Sequence, residues 1–235
     1  MSSPPRPSTA GSTVPSIYNN DTLTPTFSVG EIPNETISTQ TLIDSLHMVK
    51  HPEGGYFAEI DRDQRTVPNP FGDLTYATTA EKPFSGDNSI RNASTSILYL
   101  LTPHSPQGHF HRNAGRTVHT LIQGRGRYVL IHDDEEVEGD EGCSVGGKKR
   151  VESFVVGKDV EAGEKCVWIV EGGKYKASFL EVEDGVDEWE SRLLISETVV
   201  PGFEYSDHDF LKEETFEKIV TEEQAEEMRW LVRKE

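Results

Sequence analysis

The run Gly108-His109-Phe110-His111-Arg112, followed by Val118-His119-Thr120-Leu121-Ile122-Gln123-Gly124, carries the residues of this chain best suited to chemistry. An imidazole exchanges protons near neutral pH and, when neutral, ligates metals. In an extended strand alternate side chains share a face. The pattern therefore predicts that His109 and His111 point one way and Phe110 the other, which is how a β-barrel furnishes its lumen. Carboxylates stand nearby in pattern: Glu53, Glu59 and Glu197 fall in runs that otherwise read as buried strands or tight turns. Tyr56, Tyr99, Tyr128 and Tyr175 add phenolic donors. A His and a Tyr flanking a carbonyl compound support proton abstraction and return, and His111 is the leading candidate to carry that proton.

Such side chains need strands to hold them. The sequence offers many short β-rich runs divided by turn residues: 56–62, 95–102, 109–112, 117–123, 127–132, 153–156, 165–170, 177–182 and 193–200. Close spacing without intervening helical patterns indicates an all-β sandwich or barrel, and a double-sheet jelly roll in particular. Before them, Leu42, Leu46 and Val49 recur at helical spacing behind a Ser or Thr cap, and His51-Pro52-Glu53-Gly54-Gly55 stops that helix. Residues 1–36 are rich in Ser, Thr, Pro and Gly and read as a flexible tail. Residues 133–152 form an acidic, Gly-rich insertion that reads as a long hairpin loop. Residues 213–235 place Phe216, Ile219, Val220, Met228, Trp230 and Leu231 among charges, predicting C-terminal amphipathic helices that pack on the barrel domain of residues 37–212.

Composition narrows the partners. The 235 residues hold 23 Lys plus Arg against 41 Asp plus Glu, a formal charge of −18, which repels phosphate backbones and acidic lipid surfaces. Neither nucleic acid nor membrane is expected as a partner. Cys143 and Cys166 lie in no metal-ligand spacing, and the N-terminus lacks the apolar run of a signal peptide. A cytoplasmic protein is expected.

Four blocks carry a family resemblance: His51-Pro52-Glu53-Gly54-Gly55-Tyr56-Phe57-x-Glu59; Thr95-Ser96-Ile97-Leu98-Tyr99-Leu100-Leu101; Phe110-His111-Arg112; and Leu194-Ile195-Ser196-Glu197-Thr198-Val199-Val200-Pro201-Gly202-Phe203. In this order, across roughly residues 42–211, the chain resembles the cupin family of unassigned function sometimes called cupin-five. The resemblance implies a double-stranded β-helix, the cupin jelly-roll barrel of germins and deoxysugar epimerases, assembled as a homodimer. It also implies a place for a divalent metal, held in cupins by His-x-His, a Glu four or five residues on, and a later His. Here the acid position falls at Gly115 or Arg116 and the later His position at Lys176. An ammonium is no metal ligand. No tightly held cofactor is therefore expected, at most a weak or substoichiometric divalent ion, whose ligands would be His109, His111 and His119.

The reading is a cupin barrel that binds a small polar metabolite. It acts either as an epimerase, isomerase or lyase on a sugar-like or carbonyl compound, or as a non-catalytic binder; a metal-dependent oxygenase ranks third. His111 and Glu59 are the candidate catalytic residues. Glu53, Tyr56, Ser96, His109, His119, Tyr175, Lys176 and Glu197 are the candidate ligand contacts. Simpler roles compete: His119 reads first as a structural residue, Glu53 serves equally as a turn cap, and Trp168 and Tyr175 suit core or interface. His51 reads as a turn residue, and His47, His104, His132 and His208 as surface or loop residues.

Overall fold

The computed structural model describes residues 23–30, 34–74, 76, 79–135 and 148–234. Residues 1–22 of the leader and 136–147 of the acidic insertion lie outside that set. Among the described residues thirteen strands form, in chain order, β1 (Val49–Lys50), β2 (Tyr56–Arg62), β3 (Thr66–Pro68), β4 (Ile90–Asn92), β5 (Thr95–Leu101), β6 (Gln107–Asn113), β7 (Arg116–Gly124), β8 (Gly126–Ile131), β9 (Val151–Val156), β10 (Val167–Val170), β11 (Tyr175–Leu180), β12 (Leu193–Val200) and β13 (His208–Phe210). They build an antiparallel six-stranded sheet, β1-β2-β5-β12-β7-β10, and a five-stranded sheet, β13-β6-β11-β8-β9, with β3 and β4 paired apart. From β5 to β8 the chain switches sheet at every connection, as a jelly roll requires. At Gly124-Arg125-Gly126 it switches within one residue. Gly124 takes φ +84°, and a Cβ on it would collide with the Arg192 carbonyl, so only glycine fits.

Period-2 patterning decides what fills the barrel. Tyr99, Leu101, Tyr128, Leu130, Trp168, Leu180, Leu193 and Ile195 turn inward and form one apolar cluster. On the opposite face of the five-stranded sheet, Phe110, Val129, Ile131, Tyr175, Ala177 and Phe179 are covered by the C-terminal segment. That segment comprises α2 (Glu213–Ile219) and α3 (Glu222–Met228). Phe216 is fully buried against Phe110, ring centroids 6.1 Å apart. A capping box closes α3, Thr221 accepting from the Gln224 backbone and Gln224 from Thr221.

The opening helix is shorter than the apolar spacing suggests. α1 (Ile37–Ser45) starts at the Thr36 cap and ends where His47 adopts φ 52°. Val49 pairs with Phe57 as a strand instead. Ile43 and Met48 pack on Tyr56, Leu100 and Leu194, the outer face of the six-stranded sheet. Within the stretch read as a tail, Leu23 and Phe27 are buried, one under the C-terminal helices and the other in the inner cluster.

Candidate functional site

The inner apolar cluster fills one end of the barrel. At the other end a cavity of about 300 Å³ opens, with Phe57, Ile97, Val199 and Phe203 on its walls and Glu53, His111, Asn113, Lys176 and Glu197 on its floor. Glu59, Arg62, Glu204 and Tyr205 also line it.

Glu53 reaches the floor from a tight turn. His51 to Gly55 close on themselves through Gly54 N–H to the His51 carbonyl (3.1 Å) and His51 N–H to the Gly55 carbonyl (3.0 Å). Gly54 has φ +108°, and a Cβ there would strike the Gln107 carbonyl of β6. The Glu53 carbonyl accepts from the His109 backbone N–H at 2.7 Å and from His109 Nδ1 at 2.9 Å, so the turn is stitched to β6. The glycines are thus conformational requirements of the turn that presents Glu53.

The expectation that His109 and His111 share a face is overturned by a β-bulge. Across β11, Lys176 pairs with His111 but Ser178 pairs with Gly108, so β6 carries one extra residue there. His109 consequently follows Phe110 to the outer side, where its ring meets Gln107, itself bonded to the Trp230 carbonyl. His111 alone of the pair lines the cavity.

Around Glu53 three imidazoles gather. His111 Nε2 stands 3.2 Å from Oε2, His208 Nε2 3.0 Å from Oε1, and His51 Nδ1 3.5 Å from Oε2. The His111 and His208 rings stack at 5.4 Å. A carbonyl only accepts, so His111 Nδ1, 2.8 Å from the His109 carbonyl, carries that ring's proton. Burial pushes His111 down to about 3, with the Lys176 ammonium adding to the shift, so the ring is neutral at pH 7 and its Nε2 is bare. Burial by itself would raise Glu53, but the imidazole shell outweighs it and holds the carboxyl below the usual range.

On the other flank, Lys176 Nζ lies 2.8 Å from Glu197 Oε2 and 3.1 Å from His119 Nε2. Against burial, that ammonium holds Glu197 well below the ordinary carboxylate range. His119 is lowered by burial and by the same ammonium. His119 lies inside the barrel yet beneath the floor, stacked on Trp168 at 4.9 Å. Of the three donors of an ammonium, two are thus engaged at Lys176. Asn113, also on the floor, has a buried Oδ1 without a hydrogen-bond partner. At the mouth Arg62 joins Glu59 (2.8 Å) and Glu204 (3.3 Å). Behind it the buried Arg91–Asp207 pair, at 2.6 Å, anchors the segment that delivers Glu204, Tyr205 and His208.

Of the residues singled out in the sequence, the structure brings Glu53, Glu59, His111, Lys176 and Glu197 to one cavity. Phe57 and Glu59 share its wall, which sends Tyr56 to the outer face, bonded to Glu35 at 2.8 Å. Ser96 also faces outward, 2.8 Å from Thr198. Tyr175 lies on the outer side beneath Arg112, 4.6 Å from its ring centre. His208 and His132, read as surface or loop residues, are buried. His208 was invisible as a site residue because it lies on the three-residue β13, beyond the barrel's alternating runs. Arg62, Asn113 and Glu204 were missed as well. The strand parity of β6 is the signal that finds Asn113, two residues past His111.

The ligand set of His109, His111 and His119 does not converge, and at the usual later His position Lys176 is committed to Glu197. A different set does fit an ion: one donor atom each from Glu53, His111 and His208 lies within 4.8 Å of the others, all three residues buried.

Comparison with known proteins agrees with this architecture. The family model described as "Cupin superfamily (DUF985)" matches residues 40–211. A protein of Saccharomyces cerevisiae, "Uncharacterized protein YML079W", is 40% identical over 206 residues, 85% of this chain and 89% of the yeast protein. Among solved structures, a hypothetical protein from Leishmania major superposes with a TM-score of 0.55 at 27% identity, covering 78% of this chain and 90% of its own. Protein SO0799 from Shewanella oneidensis gives 0.57 at 20% identity over 83% and 98%, a likeness of fold alone.

Proposed function

The chain belongs to the Cupin superfamily (DUF985) family, and from that premise we propose that it binds a small polar metabolite in the barrel cavity. The observation that carries this reading is the cavity's division into apolar walls and a buried floor with unspent hydrogen-bonding capacity. Asn113 Oδ1 has no partner and Lys176 keeps a free N–H. Buried polar groups left in this state cost about 1–3 kcal/mol each, which a ligand oxygen and a ligand donor would recover. At about 300 Å³ the space sits at the small end of small-molecule pockets, roughly 300–1,000 Å³. A compact molecule with a carbonyl or carboxylate toward Lys176 and an apolar flank toward Phe57 and Val199 matches it.

A second reading, proton transfer on a bound carbonyl compound by an epimerase, isomerase or lyase, is favoured by the bare Nε2 of His111, which is oriented as a base. Glu59 then serves at the mouth by positioning Arg62. The homodimer and the cytoplasmic location belong to this proposal too. Ile122, Val167 and Ile169 are exposed on β7 and β10 of the six-stranded sheet and would suit a second copy. No helix among the described residues is long and apolar enough to cross a membrane.

A thermal-shift screen of keto acids, sugar nucleotides and phenolic metabolites, run with a chelator present, tests the reading. A ligand at a hundred times its Kd stabilises by about 2.7 kcal/mol. The stabilisation is expected in the wild type and absent in Lys176→Met and in the cavity-filling Val199→Phe. A hit that stabilises both folded variants as well as the wild type would place binding elsewhere and end the proposal.

A further inference from the structure

We infer that Glu53, His111 and His208 form a binding site for a divalent first-row transition-metal ion, distinct in its ligands from the His109, His111 and His119 set. The inference rests on the cavity reading only for what fills the ion's remaining positions, not for the ion itself.

Charge is the first ground. Among the described residues, the other carboxylates of the cavity have fixed counter-charges: Glu197 has Lys176, and Glu59 and Glu204 share Arg62. Glu53 is 8% exposed and its polar side-chain partners are imidazoles alone. A buried carboxylate needs a compensating charge.

Proton placement is the second. His111 gives its Nδ1 proton to the His109 carbonyl, so Nε2 turns a lone pair toward Glu53 Oε2 at 3.2 Å. His51 Nδ1 accepts from the Glu53 N–H at 3.2 Å, so its lone pair is already in use and it offers Oε2 no proton. His208 Nδ1 lies 2.6 Å from Thr79 Oγ1, a partner able to accept. Thr79 can also donate, in which case His208 Nε2 gives its proton to Glu53 Oε1 at 3.0 Å; in the tautomer with Nδ1–H given to Thr79, Nε2 of His208 is bare as well and open to an ion. Outer hydrogen bonds of this kind orient ligating histidines. In that tautomer the bare nitrogens of His111 and His208 both face the Glu53 carboxylate, and an ion between them satisfies all three.

Distance is the third. Around an ion with bonds of about 2.0–2.2 Å, adjacent donors sit roughly 3.0–3.4 Å apart. The two carboxylate–imidazole separations, each to a different oxygen of Glu53, are 3.2 and 3.0 Å, and one donor atom from each of the three residues lies within 4.8 Å of the others. Two imidazoles and one carboxylate suit Mn(II), Fe(II), Co(II) or Zn(II) rather than Mg(II) or Ca(II). Glu53 and His111 border the cavity, so the vacant coordination positions face it.

The alternative is a single proton shared between Glu53 and His111, and a titration separates the two. The full chain, stripped with chelator, is titrated with Co(II) and followed by calorimetry and by visible absorption. One equivalent is expected to bind, with the spectrum of a nitrogen and oxygen site lacking thiolate bands. Affinity is expected to fall by more than about a hundredfold, the upper range for losing even an outer-shell partner, in Glu53→Gln and in His208→Gln. In Glu152→Gln, at a residue that does not line the cavity, it is expected to change far less. Circular dichroism verifies that each variant is folded, and the wild-type stoichiometry and spectrum stand without any variant. No Co(II) binding by the wild type, or binding that survives in folded Glu53→Gln and His208→Gln, overturns the site. Metabolite binding measured with chelator present is scored separately, so loss of this site and loss of the cavity reading are distinguishable.

Discussion

His111 Nε2 lies 3.2 Å from Glu53 Oε2 although the ring's proton is held on its other side, by the carbonyl of His109. The bulge in β6 creates this relationship. It turns the His109 side chain away from the lumen while leaving its carbonyl to orient His111, and the displaced His109 ring then ties down the turn that carries Glu53. One extra residue in a strand thus sets both members of the pair.

Lys176 and Glu197 are 2.8 Å apart and buried. Removing one charge of such a pair leaves the other uncompensated, at about 3–5 kcal/mol. Lys176→Met is expected to destabilise by that amount in urea unfolding, and Lys176→Met with Glu197→Gln to recover most of it. A double variant no more stable than the single would show that the pair's charge is not what the barrel depends on.

Gly54 occupies φ +108° against the Gln107 carbonyl. Gly54→Ala is expected to displace the Glu53 turn, costing about 1–3 kcal/mol of backbone strain and weakening Co(II) binding although no ligand has been changed. Unaltered affinity in a folded Gly54→Ala protein would mean that the turn does not position Glu53.

Phe216 packs fully buried on Phe110 across the sheet from the cavity. Phe216→Ala is expected to cost about 3–5 kcal/mol and to leave cavity binding per folded molecule unchanged. Calorimetric unfolding and ligand titration of the same preparation compare the two.

Acid sensitivity has a source outside the cavity. The hydrogen bond from His132 Nε2 at 3.2 Å, aided by Lys165, holds Glu152 down to about 2 against burial. A carboxyl depressed in the folded state stabilises above its unfolded pKa and loses that contribution as pH falls through the folded value. The stability gap between wild type and Glu152→Gln is expected to be full above about pH 4.5 and to close toward about pH 2. A gap that stays constant over that range would assign the effect to packing.

Much of the barrel was legible because alternation is a local property. Tyr56–Arg62 and Leu193–Val200 are strands over the residues their patterns indicated. Glu53, His111 and Glu197 could be named from their blocks, and Lys176 from the later His position that the resemblance implies. His109 could not be placed, since a bulge is set by pairing with β11 and leaves no mark in the run Gly-His-Phe-His. His208 was hidden for a related reason: three residues of β13 carry too little periodicity, and only the fold brings them beside Glu53. Leu23 and Phe27 lie in a segment too sparse in apolar residues to predict a core contact, yet each fills a place prepared by other elements.

The most direct measurement is anomalous diffraction at the cobalt edge from crystals of the full chain grown with Co(II). The expected result is a single strong peak per chain within about 2.0–2.2 Å of Glu53, His111 Nε2 and His208 Nε2, facing the cavity. A peak elsewhere, or none while the three side chains stay packed together, would contradict the account.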